Sequence, residues 1–180
     1  MTTLNTFQQT FGRPSEWASK KVLNYMSPWV QNFISHSPFC VMATSNNQGQ
    51  CDASPKGGKP GFVKVLDEHH LLIPDVAGNR LFQSYENAEA NNQIGLIFFI
   101  PGENTTARVN GTVDIVTKAD LEQYQIELSL FNPDENAKIL QGMRLTVQEA
   151  YSHCPRALRF SNLWDVETIK DNQSHSPLAK

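Results

Sequence analysis

The chain has 180 residues and a net charge of −3, with 39% hydrophobic and 18% charged side chains and 10 Phe, 3 Trp and 4 Tyr. That length suits one domain, and a composition so aromatic and so poor in charge excludes disorder throughout. The acidic balance argues against a general nucleic-acid-binding surface, and the longest strongly apolar run, Ile94 to Ile100, is too short to span a bilayer.

In chain order, residues 1–16 read as a polar arm, with Phe7 and Phe11 expected to tuck onto the body. No basic segment followed by an apolar stretch opens the chain, so no signal peptide is expected. Ser15, Glu16 and Trp17 open a helix that includes Val22, Leu23 and Tyr25. Pro28 suits the first turn of the next, in which Trp29, Val30 and Phe33 recur at helical spacing. Phe39 to Thr44 predicts a strand, Asn46-Asn47-Gln48-Gly49 a turn, and Cys51 to Ser54 the returning strand. Two Pro and three Gly between Pro55 and Gly61 predict an irregular loop. Phe62 to Leu66 and Leu71 to Ile73 form a second hairpin, which Pro74 is expected to stop.

Asn79 is then a good N-cap for a helix from Arg80 to about Ala90. Ile94 to Ile100 predicts a strand at the centre of a sheet, and Thr105 to Ile115 a long strand of mixed polarity. Thr117 opens a short helix running through Leu128, Leu145 to His153 is the last strand, and Pro155 to Phe160 makes one helical turn. From Asp171 onward the chain is polar and expected to fray. Strands in hairpin order with helices as decorations predict a mainly β protein, an antiparallel barrel or sandwich rather than a doubly wound parallel sheet. The central domain is expected over residues 17–165, with residues 166–180 as a polar tail.

Chemistry concentrates between Asp52 and Gly111. A glycine followed by Asn79 and Arg80 at a helix start suits an anion, because free backbone N–H groups gather there and an Arg in the first turn otherwise opposes the helix dipole. Lys56, Lys59, Lys64, Arg80 and Arg108 make five cations in this stretch of an acidic chain. No Walker loop, GxGxxG or Gly-x-Ser-x-Gly motif is present. No His or Cys spacing fits a metal site. His69 and His70 read as solvated, and Cys40, Cys51 and Cys154 as reduced thiols, the first two buried, in a cytoplasmic protein.

Several runs together resemble the pyridoxamine 5'-phosphate oxidase-like FMN-binding split-barrel family, in the branch of FMN-dependent enzymes. They are Cys51-Asp52-Ala53-Ser54-Pro55-Lys56-Gly57-Gly58, Gly61-Phe62-Val63-Lys64-Val65, Leu72-Ile73-Pro74-Asp75 with Gly78-Asn79-Arg80, Gly95 to Gly102, Arg108-Val109-Asn110-Gly111, and His153-Cys154-Pro155-Arg156-Ala157-Leu158 with Leu163-Trp164. The resemblance implies a six-stranded antiparallel split β-barrel, a homodimer and FMN at the subunit interface. It implies that Asn79 and Arg80 hold the phosphate, with Pro74 leading into them. It places Lys64 beside the flavin ring and the loop Ser54, Pro55, Lys56 and Gly57 near the ring or ribityl chain. Thr106 and Arg108 would approach from another strand, and Trp164 and Arg159 from the partner subunit. A cation near the ring's pyrimidine edge would stabilise reduced flavin.

The implied activity is an FMN-dependent oxidoreductase of reductase or oxidase type, with NADH or NADPH as electron donor, an open substrate and no named catalytic residue. The chain lacks the Arg-Leu-x-Pro ending of true pyridoxamine phosphate oxidases, so vitamin B6 phosphate is not the expected substrate. A non-catalytic flavin- or haem-binding protein on the same scaffold, F420 in place of FMN, and a cofactor-free partner-binding barrel stay open beside this reading.

Overall fold

The computed structural model describes residues 4–178 apart from 77–80, 125, 128 and 136. Three helices come first: α1 (Thr6–Phe11), α2 (Glu16–Lys20) and α3 (Pro28–His36). Asn5, Ser15 and Ser27 cap them by accepting backbone N–H bonds, and Pro28 sits in the first turn of α3 as expected. Val30, Phe33 and Ile34 bury one face of α3. Phe7 and Phe11 do not tuck in; both lie exposed on a helix that buries nothing.

Strands β1 (Phe39–Ser45), β2 (Cys51–Gly57), β3 (Lys64–Val65), β4 (His70–Val76), β5 (Gln93–Phe99), β6 (Thr106–Thr117) and β7 (Ile139–His153) form one antiparallel sheet in the order β2-β1-β5-β6-β7-β4-β3. The expected six-stranded split barrel is therefore corrected to seven strands in an open sheet, whose margins β2 and β3 do not pair among the described residues. The turn at Asn46 is legible chemistry: its Oδ1 accepts from the Gln48 and Gln50 backbones, and Gly49 takes the positive φ of 77°.

Two prolines mislead a reading from sequence. Pro55 lies inside β2, opposite Val41, so the segment Ser54 to Gly57 is strand rather than loop. Pro74 lies inside β4, opposite Gly142, and does not stop it. Both are tolerated because a residue without an N–H loses nothing where its strand pairs on one side only. β2 is a margin, and β3 covers β4 only at Leu71 and Leu72.

The core lies on one face of the sheet, under α3 and α4 (Gln83–Ala90), and includes Met26, Ile34, Met42, Leu71, Leu96, Phe98, Val109 and Leu145. Leu72 points the other way, into a second cluster with Val116 and with Leu121 of α5 (Lys118–Gln123). β4 is thus buried on both faces at its centre, which explains the unbroken Leu71-Leu72-Ile73 run. β5 is central in the order but buries only Ile94, Leu96 and Phe98; Gly95, Ile97 and Phe99 stay half-exposed on its outward face. Arg156–Phe160 forms α6, and Val166–Ser174, expected to fray at its end, forms α7 with Asp165 as N-cap.

Candidate functional site

β2 alternates strictly, so Asp52, Ser54 and Lys56 turn inward and half-buried while Cys51, Ala53, Pro55 and Gly57 face outward. The curl of the sheet brings this inner face toward the end of β4. Lys56 Nζ lies 3.2 Å from Asp75 Oδ1, with only 21% and 17% of the two side chains exposed. This ion pair spans the gap between the two sides of the open sheet. Asp75 also accepts a hydrogen bond from Tyr85 on α4. Burial first, and the Asp75 charge second, push the Tyr85 phenol far above its ordinary value. Ser84 Oγ donates to Asp52 Oδ2 at 3.0 Å, and Asn87 Nδ2 to Thr44 Oγ1 at 3.0 Å, so polar contacts dock α4 onto β1 and β2.

Two adjoining cavities flank the pair. One, of about 210 Å³, lies between Asp52, Lys56, Asp75 and the start of α4. The other, of about 380 Å³, is walled by Pro55, Gly57, Phe62, Pro74 and Leu130. Phe82, lining the first, begins α4 in the left-handed region with φ 51° and no side-chain cap. A large residue held there is a local cost that the surrounding contacts sustain. The helix starts at Gln83 rather than Arg80.

The sequence-predicted residues fall into four groups. Ser54, Pro55 and Lys56 line both cavities, and Gly57 and Pro74 line the second. Asn79 and Arg80 lie outside the described residues. Lys64 is half-buried on β3 opposite Leu72 and lines neither cavity. Thr106 and Arg108 share the outward face of β6: Ala107 and Val109 between and beyond them belong to the core. Arg159 and Trp164 line a separate surface cavity of about 300 Å³ with Gly102 and Asn104, and Trp164 Nε1 donates to the Glu103 carbonyl at 2.9 Å. Within one chain these groups do not meet in one cavity.

Two buried polar side-chain atoms lack a hydrogen-bond partner among the described residues, Arg144 Nε and the hydroxyl of Thr106, which is 3% exposed. A polar atom so placed is costly unless something else satisfies it. Asp75, Tyr85, Asp52 and Ser84 are the site residues that sequence reasoning missed. The signal for Asp75 was its place in the motif beside Pro74; Tyr85 carried no signal beyond its place in the expected helix. Cys51 is exposed, not buried, whereas Cys40 is buried and its thiol is pushed up to about 12, by burial chiefly. Among the described residues no group of His, Cys, Asp and Glu could hold a metal, and no helix is long and apolar enough to cross a membrane.

The family model of pyridoxamine 5'-phosphate oxidase matches residues 26–154, most of the sheet and both cavity walls. The chain belongs to the pyridoxamine 5'-phosphate oxidase family. Among solved structures, HupZ of Group A Streptococcus is 17% identical, with a TM-score of 0.52 over 71% of this chain and 93% of that one. A candidate pyridoxamine 5'-phosphate oxidase from Lactobacillus delbrueckii is 20% identical, with a TM-score of 0.52 over 72% and 95%. A conserved protein of Mycobacterium tuberculosis is 15% identical, with a TM-score of 0.51 over 77% and 90%. At such identities the likeness is one of fold. No curated protein matches the chain in sequence.

Proposed function

We propose that the protein is an FMN-dependent oxidoreductase acting as a homodimer with the flavin at the subunit interface. The observation that carries this reading is the Thr106 hydroxyl, buried and unpartnered on the outward sheet face beside Arg108. A flavin ring edge, rich in hydrogen-bond donors and acceptors, is the kind of group that would satisfy it. The half-exposed apolar surface of β1 and β5, Val41, Ile97 and Phe99, offers the wall that the ring and a second subunit need.

The chemistry FMN supplies when bound is acceptance and release of a hydride or of electrons. The chain's own residues do the rest. Lys56 presents positive charge, and Asp75 and Tyr85 hold it in place. Thr106 makes a hydrogen bond, and Arg108 adds a second cation. Asn79 and Arg80 compensate the phosphate, and Arg159 and Trp164 contribute from the partner. The three free thiols fit a reducing cytoplasm. NADH or NADPH is the electron donor of this reading.

The test is the visible absorption spectrum of purified protein, before and after adding FMN and desalting. Retained oxidised-flavin bands are expected, with bleaching by NADH or NADPH under anaerobic conditions. A colourless protein that rejects FMN would overturn the reading. A haem band, or bound flavin that neither nucleotide reduces, would instead favour a binding protein on the same scaffold.

A further inference from the structure

A second site lies away from both cavities at Lys56, on the opposite side of the sheet's rim. Residues 21 to 23 are tied to β7 by a two-way backbone bridge: Leu23 N donates to Ala150 O at 3.2 Å and Ala150 N to Leu23 O at 2.7 Å. This tie carries Lys21 to the end of β7, where its Nζ donates to the Ser152 carbonyl at 2.9 Å. The same ammonium sits 5.5 Å from the Tyr151 ring centroid and 5.2 Å from that of Trp17. Arg108, opposite Tyr151 in the β6–β7 register, brings its guanidinium carbon to 5.4 Å from the same Tyr151 ring. The His153 imidazole, two residues on, lies 6.5 Å from it.

Three basic groups therefore surround one phenol ring in a chain of net charge −3. Among the described residues none of the three is ion-paired to a carboxylate. Glu149, nearby on β7, is taken up by Asn110 Nδ2 at 3.0 Å, and Glu16 by Lys20. The ring faces offset part of the repulsion, yet the imidazole feels the rest. Burial first, then Arg108 and Lys21, depress its proton affinity. Beside this cluster opens a cavity of about 310 Å³ whose walls are largely apolar, with Trp17, Thr105, Cys154 and Pro155 around Lys21 and His153. It shares no lining residue with the cavities at Lys56.

We propose that this pocket binds a small aromatic carboxylate, its ring against Trp17 and Pro155 and its carboxylate at Lys21 and His153, with the Arg108 guanidinium on the neighbouring Tyr151 ring adding to the positive field. Charge complementarity selects an anion, because Lys21 and Arg108 hold positive charge that no carboxylate among the described residues compensates. The apolar walls select a flat organic body over an inorganic ion, which would leave them bare. An anion here would also relieve the mutual repulsion of Lys21 and Arg108, a gain that a neutral ring cannot supply. The proposal stands on the pocket's own residues, none of which has a role in the flavin reading.

Benzoate serves as the probe, titrated into the full-length protein with the His153 ring signals followed by NMR and assigned through His153→Gln. Benzamide is the uncharged control. The expected result is a saturable shift of His153 with benzoate and none with benzamide. Lys21→Gln should weaken benzoate binding about tenfold or more, the loss expected of one charge-assisted contact. Lys21→Arg should restore most of it, and both variants should retain FMN as the parent does, so that failure here is distinct from failure of the flavin reading. An unmoved His153 signal, equal binding of benzamide, or undiminished binding by a folded Lys21→Gln variant would each overturn the proposal.

Discussion

At Lys56, Asp75 and Tyr85, three side chains from three elements satisfy one another in a nearly closed space. Removing the carboxylate leaves an ammonium with little water and no counter-charge, a cost larger than the pair's net contribution. Asp75→Asn should therefore lower stability by about 1–3 kcal/mol in denaturant unfolding, whereas Lys20→Gln, which breaks a fully solvated pair, should change it little.

Cys40 gives a residue-scale test of a different kind. Its thiol stays protonated to about 12 in the fold against an ordinary value of 9.0. Between those values the folded state holds a proton that the unfolded chain has released, so stability falls as pH rises through that window and is intact below it. The full effect is about 4 kcal/mol by the three-unit gap. Cys40→Ala should flatten the alkaline arm of a stability–pH curve. In the native protein at neutral pH a thiol reagent should label Cys51 and Cys154 and spare Cys40.

Among the elements, the β6–β7 pairing shifts register between Asn110 and Gly111. A methyl group on Gly111 would overlap the Thr146 carbonyl and touch Leu145. Because the obstacle is backbone, neither strand can yield cheaply. Gly111→Ala should cost several kcal/mol, read as a lowered melting temperature or loss of soluble protein. Elements such as β1, with its Asn46 turn, and α3, with Pro28 in its first turn, were legible in the chain because local chemistry decides them. Pro55 and Pro74 misled because their tolerance depends on which strands lack a second neighbour, a fact of sheet order. The Asp75–Lys56 contact was illegible for a related reason. It joins residues 19 apart across a gap that exists only once the seven strands have curled. Thr106 and Lys56 were named from the family resemblance, yet only the fold reveals that one hydroxyl is unpartnered and the other side chain already paired.

For the whole molecule, one sheet face is packed, and the other is covered by α5 near β4 but apolar and open across β2, β1 and β5. Val41, Ala43, Ala53, Pro55 and Ile97 share that outward face across three adjacent strands. Under the proposed dimer, a second copy would cover this face. Ala43→Glu should place a charge at the centre of the contact without disturbing the core. The expected outcome is a monomer by size-exclusion chromatography with light scattering, with weaker flavin retention. A variant that remains dimeric and fully loaded would remove this face from the proposal.

The two in-strand prolines reach beyond the folded molecule. Each lies on a stretch of strand whose second flank no neighbour pairs, where a passing chain could add itself and propagate a fibril. A proline there denies the incoming strand one donor and interrupts the ladder before it starts. Pro55→Val and Pro74→Val should therefore leave the monomer's melting temperature close to that of the parent, while shortening the lag before thioflavin-positive aggregates form on agitation. The same ring that disguises these strands in the amino-acid sequence would set the protein's shelf life in concentrated solution.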